Sequence, residues 1–315
     1  MYRTSPDAFR TTLAEAVAGH PDEIVLQVWV ARLSEPPRNE LAARRLGPAI
    51  VIALSCGLLV RLPAIWLGED WFYPRFMPSI GLLGAAVYLW IQDRHRTHGI
   101  LGVVLAAATA IYVSLLPGLG DSVVMALVHL PILWWGFLGL VFAGAAWREQ
   151  EPRIRFLRYN GELLILGSLV VLGGLVFSGI TAALFELVSS GSGEWYAENV
   201  RVMGAAGVPV AATYLYDAVF RRHTGIPAVL ARIFSPLFLI MTVTYLVVAV
   251  VVGRNPFVDR GFLITVNALL LVVLGMTVLS IAERREYEQV GWIDRINLAL
   301  LAVTLVIDVL ALSAI

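Results

Sequence analysis

The chain has 315 residues, 59% hydrophobic and 15% charged, with a formal net charge of zero and a mean hydropathy of +0.79. A soluble domain carries about 25% charged residues, so composition speaks against an ordinary soluble protein, and the neutral balance gives no sign of a nucleic-acid partner. All 23 basic residues are arginine and Cys56 is the one cysteine, which excludes lysine nucleophiles, a Walker lysine, an internal disulfide and any multi-cysteine metal site.

Residues 1–45 read as a short cytoplasmic or interfacial helical segment, and 46–315 as a transmembrane bundle. Pro6-Asp7 and Pro21-Asp22-Glu23 set proline and acids where helix starts favour them. The first short helix carries Phe9, Leu13, Ala16 and Val17 on one face. The second, Ile24 to Leu33 with Trp29 in its middle, is apolar around most of its circumference. It is too short to span, and is expected to lie in the interface or lean on the bundle. This polar, proline-broken start is unlike a cleavable signal, so the first span is expected to direct insertion.

Apolar blocks of span length follow at 47–67, 76–91, 99–116, 123–146, 160–188, 198–220, 228–252, 261–282 and 294–315. A helix needs about 20 apolar residues to cross a bilayer core. The fold class expected is therefore all-α, a polytopic bundle of about nine spans. The fifth block is long enough to tilt or to project beyond the lipid.

Arginine placement orients the bundle. With the N-terminus inside, the inner loops hold Arg32, Arg38, Arg44, Arg45, Arg94, Arg96, Arg148, Arg153, Arg155, Arg158, Arg221, Arg222, Arg232, Arg284, Arg285 and Arg295. The outer loops hold only Arg75, Arg201, Arg254 and Arg260. Cytoplasmic loops carry the arginine excess, so the N-terminus is expected in the cytoplasm and the end of this chain, Ile315, outside or at the outer membrane edge.

Ionisable groups at membrane depth are candidate sites. Asp308 lies mid-way along the ninth span, with Asn297 about three turns earlier on the same face. It is either a proton or ion site or a hydrogen-bond partner for another helix. Arg61, in the outer half of the first span, can reach outward to Glu69, Asp70 or Glu186 as an ion pair, or hold a substrate anion. Glu162 opens the fifth span, where the helix dipole favours a carboxylate in the first turn. Asp217 precedes Arg221 by four residues, the spacing of a helix ion pair. His129, two residues before Pro131, is expected to bond a carbonyl freed by the proline rather than bind metal. His95 and His98 read as part of a lipid-facing basic loop, and Cys56 as a buried hydrophobe.

The outer face gathers acids, arginines and aromatics. Glu69-Asp70-Trp71-Phe72-Tyr73-Pro74-Arg75 reads as one charged link, and Glu194-Trp195-Tyr196-Ala197-Glu198 as another, with Glu186 nearby. These are either interface anchors or a shallow outward-facing site. Gly174 and Ser178 have the small-xxx-small spacing that lets helix backbones approach, placing the fifth helix near the bundle centre. Gly204, Ala205 and Gly207 with Pro209 suggest a close-packed, kinked sixth helix. No HExxH, CxxC or GxSxG motif is present, and no metal or cofactor is expected.

The string Arg155-Phe156-Leu157-Arg158-Tyr159-Asn160-Gly161-Glu162 leads into the glycine-rich fifth block. With Ala231-Arg232-Ile233-Phe234-Ser235-Pro236-Leu237, then Tyr245 and Asn255-Pro256, it resembles a bacterial polytopic family catalogued as domain of unknown function 4153. The resemblance covers roughly residues 45–315. It implies a bacterial cytoplasmic membrane and carries no catalytic residues to transfer.

Three functions fit these features. The first is a transporter or permease for a small molecule, with Asp308 or Glu162 lining a wet cavity. The second is a membrane-embedded assembly or signalling partner of other membrane proteins, docking through residues 24–33. The third is an enzyme on a lipid-linked substrate, which needs the outer acids to converge in one cleft.

Overall fold

The computed structural model describes residues 6–20, 23–34, 38–118, 120–218, 226–252, 260–282 and 291–313. Among these residues every regular element is helical. The chain divides into two compact units, Met1–Gly47 and Pro48–Ile315.

In the first unit, α1 (Pro6–Gly19) and α2 (Ile24–Ser34) pair. Pro6 takes the first helical position, where its missing N–H costs nothing. The Phe9 ring meets Trp29 edge-on at 5.2 Å, and Leu13 is buried. Ile24, Val25 and Val28 of α2 remain exposed.

The second unit takes up most of α3 (Arg38–Leu67), then α4 (Glu69–Gln92), α5 (Arg96–Leu115) and α6 (Asp121–Ala143). A 3-10 turn, Gly144–Ala146, leads toward α7 (Gln150–Val188), and α8 (Ser192–Tyr196) follows. A π-helical turn, Ala197–Arg201, runs into α9 (Val202–Ala218). The remainder is α10 (Ile226–Val252), α11 (Arg260–Ala282) and α12 (Trp292–Ser313).

Four helical stretches are long and apolar enough to cross a membrane: Arg44–Leu67, Arg96–Leu115, Asp121–Ala146 and Gln150–Leu187. Ile233–Val248 and Ile264–Val278 are shorter apolar helices. The expectation of about nine spans is thus met in its all-helical character and in these segments. Among the described residues, α4, α9 and α12 do not reach the same length and apolarity. All three carry charge, with Glu69, Asp70 and Arg75 in α4, Asp217 in α9, and Asp294, Arg295 and Asp308 in α12.

Helices α3, α4 and α7 start well before their apolar blocks, α3 at Arg38 rather than 47. Residues 69–75 are not a link but the opening turns of α4. Gly68, at φ +86°, makes the left-handed corner that starts the helix, and Glu69 and Asp70 suit its positive end. The arginine-rich stretch before residue 160 is likewise the start of α7, whose 39 residues cover roughly 58 Å at about 1.5 Å each.

Within the second unit the helices fall into two groups that share α7. Helices α6 and α9 pack against its first half, and α3, α4 and α5 join this group through α4, α6 and α9. Helices α10, α11 and α12 pack with its second half, around Leu184, Phe238, Tyr245, Leu269 and Leu300. Between spans, lipid supplies no hydrophobic drive and close van der Waals contact holds the helices.

The contact between α3, α4 and α9 shows how close. A Cβ on Gly57 would lie 2.9 Å from the Met203 carbonyl oxygen, and one on Gly207 3.2 Å from Ala53 Cβ. A Cβ on Gly81 would meet Pro209 at 3.1 Å, and one on Gly84 would collide with Cys56 Sγ. Cys56 is buried, as its sequence context predicts. The Gly174–Ser178 spacing is not the close contact of α7, since a Cβ on Gly174 meets nothing within 4 Å. Gly173 is, because it sits against the Phe234 ring of α10.

Candidate functional site

Polar side chains collect at three places. The first joins the ends of α3 and α4 to the π-helical turn. Arg61 donates from Nε to Asn199 Oδ1 at 2.8 Å, from a terminal nitrogen to the Tyr73 hydroxyl at 3.1 Å, and pairs with Glu69. Its side chain is 11% exposed, against 45% for Glu69. The reach toward Glu69 matches the sequence expectation; Glu186 is not the partner. Glu186 instead accepts the backbone N–H of Gly191 at 2.9 Å and of Gly193 at 3.0 Å, capping the turn after α7. Gly191 turns there at φ +84°. The buried Tyr196 has the Thr181 and Ser178 hydroxyls of α7 as polar neighbours, and burial pushes its phenol above the usual range.

Arg75, expected in an outer-face group, is instead 2% exposed. Its terminal nitrogens donate to the carbonyls of Trp71 at 3.2 Å and Pro117 at 2.9 Å, and its guanidinium lies over the Trp71 ring at 4.9 Å. It locks α4 to the link before α6, and its Nε has no partner. Asp70, Glu194 and Glu198 are exposed. The acids expected at the outer face therefore do not converge: Glu69 serves Arg61 and Glu186 serves its own turn.

The second place lies where α4, α7 and α9 meet. The hydroxyls of Tyr159 and Thr213 are 2.8 Å apart, with both residues fully buried. Tyr88 donates to Asp217 Oδ2 at 3.3 Å. Phe142, Phe156, Tyr159 and Tyr216 surround this point with ring centroids 4.7–6.4 Å apart. Arg221, expected to pair with Asp217, lies outside the described residues.

Glu162 is on the same helix, half-buried. The expected explanation for it does not hold. It is the thirteenth residue of α7, which starts at Gln150, whereas dipole stabilisation fades beyond the first turn. Among the described residues no hydrogen-bond or ion-pair partner satisfies it.

The third place is α12. Asn297, Leu300, Thr304 and Ile307 form its buried stripe, and Asp308 sits half-buried at the shoulder. Asp308 has no hydrogen-bond or ion-pair partner among the described residues either.

The two histidine readings change in detail. His129 Nδ1 contacts the Met125 carbonyl at 2.7 Å, whereas Pro131 frees the carbonyl of Leu127, four residues before it. His98 is 5% exposed inside α5, with the His95 ring tilted against it at 4.6 Å, so it does not face lipid. Among the described residues no three His, Cys, Asp or Glu side chains form a metal-binding group.

Two open clefts are present. One, of about 340 Å³, runs between α6 and α7 past Gly136, Gly139, Ala143 and Phe156 to Trp147 and Arg153. The other, of about 500 Å³, lies along the first turns of α6 from Asp121 to His129. Neither is lined by Glu162, Asp308 or the outer acids.

Asn199, Tyr73, Tyr88, Tyr159 and Thr213 were not singled out by sequence. Their only signal is a polar group on an otherwise apolar helix, which many interface residues share. No protein-family model, no curated protein and no solved structure matches this chain.

Proposed function

We propose that this chain is a permease-like membrane protein of about nine spans, its N-terminus in the cytoplasm, that moves a small solute between its two helix groups. The carrying observation is the shared spine: two groups meet along one helix, α7, and that helix bears Glu162, which has no partner among the described residues. Two packed groups around one shared element suit a rocking motion about a site near the membrane midplane. A carboxylate at membrane depth without a partner is costly unless it meets water, a proton or a ligand. Glu162 on the spine and Asp308 in the second group fit that role. The π-helical turn before α9 adds an irregular backbone segment of the kind that recurs at functional sites.

The bacterial cytoplasmic membrane and the likeness to the domain of unknown function 4153 family belong to the same proposal. They rest on the arginine asymmetry and on the strings at 155–162 and 231–237.

Motion between the groups is the test. Spin labels at Val103 of α5 and Leu271 of α11, both exposed, report the separation in a Cys56→Ala chain. A bimodal distance that shifts between pH 5 and pH 8, and stops shifting in Glu162→Gln, is expected. One narrow distance under all conditions would count against a rocking carrier.

A second reading, an assembly or signalling partner, draws on the exposed Ile24, Val25 and Val28 of α2. Photo-crosslinkers at 25 and 28 separate the cases: a specific protein adduct favours this reading, and lipid adducts alone favour an interfacial helix. The outer-face enzyme reading loses its basis, because Glu69 and Glu186 each have a structural partner.

A further inference from the structure

The cleft between α6 and α7 has a polarity that its sequence alone does not announce. Its floor is Gly136, Gly139 and Ala143 on α6, and Phe156 and Leu157 of α7 form its far wall. A Cβ built on Gly136 meets nothing within 4 Å, so the glycine opens space rather than allowing a helix to approach. One end of the cleft is cationic. Arg153 is held there by an Nε–H bond to the Trp147 carbonyl at 3.1 Å. Its terminal nitrogens have no partner among the described residues. Arg148 lies over the Trp147 ring at 4.8 Å and is also without an ion pair there. Of the acids nearby, Glu151 faces Arg155 at 3.9 Å, and Glu149 is exposed at the start of α7.

We infer that this cleft holds one acyl chain of an anionic phospholipid, with its phosphate on Arg153 and Arg148. An apolar slot with Arg153 at its end and Arg148 on the neighbouring Trp147 ring matches the two halves of such a lipid. Basic pockets between spans on the cytoplasmic side take anionic headgroups in this way, and a guanidinium offers paired donors to a phosphate. A cleft of about 340 Å³ is at the lower end of the size of small-molecule sites, enough for part of a chain.

The inference rests on reading α6 and α7 as spans, and the two can fail separately. A chain that stays dispersed without detergent would defeat the spans; a detergent-dependent chain that does not retain the lipid would defeat only the cleft. The experiment is native mass spectrometry of the full chain in detergent, with phosphatidylglycerol, phosphatidylcholine or inorganic phosphate added. Phosphatidylglycerol is expected to stay bound and the other two are not. Arg153→Gln should weaken retention by about fivefold, and Arg148→Gln by a similar factor. Gly136→Leu should abolish retention by filling the slot, without disturbing the close helix contacts. Equal retention of phosphatidylcholine, binding of phosphate alone, or unchanged binding in both Gly136→Leu and Arg153→Gln would each overturn it.

Discussion

The Tyr159 and Thr213 hydroxyls meet at 2.8 Å in a place closed to solvent, tying the α7 spine to α9. Thr213 also donates to the Pro209 carbonyl at 2.7 Å, so the Tyr159 hydroxyl is the donor in the pair. The two ends of this bond are therefore not equivalent. Tyr159→Phe leaves Thr213 with its own acceptor and should cost about 0.6 kcal/mol, the average for a hydrogen bond inside a membrane protein. Thr213→Val strands a buried phenol and should cost about 1–3 kcal/mol. Unfolding in mixed detergent by titration with dodecyl sulfate reads the difference; equal costs would reverse the donor assignment.

Glycines in this chain divide by geometry, and substitution should divide with them. Gly57→Ala drives a methyl to 2.9 Å from the Met203 carbonyl, a backbone atom that cannot swing away. Overpacking of this kind costs about 1–3 kcal/mol. Gly174→Ala and Gly204→Ala meet open space and should be neutral or slightly stabilising, since alanine favours helix. Thermal melts of the three variants in one detergent check the contrast.

The sequence located these helices but could not assign the contacts. Apolar periodicity and arginine placement depend on composition along one segment, and they marked every helix from α3 to α12 apart from the short α8. Which small residue touches a neighbour depends on how helices are rotated about their axes. Gly173 and Gly174 differ by one position, about 100° around the helix, and only Gly173 meets Phe234. Helix starts were missed for a related reason. Residues 69–75 and 150–159 are mostly charged, polar or aromatic, and a hydropathy pattern ends where such a helix can continue.

Arg61 is the node where the ends of α3 and α4 meet the π-helical turn. Removing Glu69 should cost little through charge, because that carboxylate is 45% exposed and such pairs contribute about 0.2–1 kcal/mol. Arg61→Ala should cost more than Glu69→Ala, since Asn199 and Tyr73 also lose their donor. A double-mutant cycle between Arg61 and Glu69 should return a coupling below about 1 kcal/mol. A coupling of several kcal/mol would mean the pair is shielded from water.

The capping role of Glu186 is separable from any chemistry. Glu186→Gln keeps an acceptor for the Gly191 and Gly193 N–H groups but loses its charge, and should be nearly silent. Glu186→Ala leaves those N–H groups without their acceptor, and should loosen the turn and raise proteolysis near 189–193. Limited proteolysis of reconstituted protein follows this directly.

The account turns on whether Glu162 and Asp308, without partners among the described residues, face water inside the bundle. Cysteines placed at 162 and 308 in a Cys56→Ala chain, in sealed vesicles of known orientation, can be challenged with membrane-impermeant thiol reagents from each side. A permease predicts that both positions react, at least one of them from either side of the membrane, and that reaction slows when the helix groups are cross-linked. If neither position reacts from either side while loop cysteines label normally, both carboxylates are sealed within protein or lipid and the permease reading is wrong.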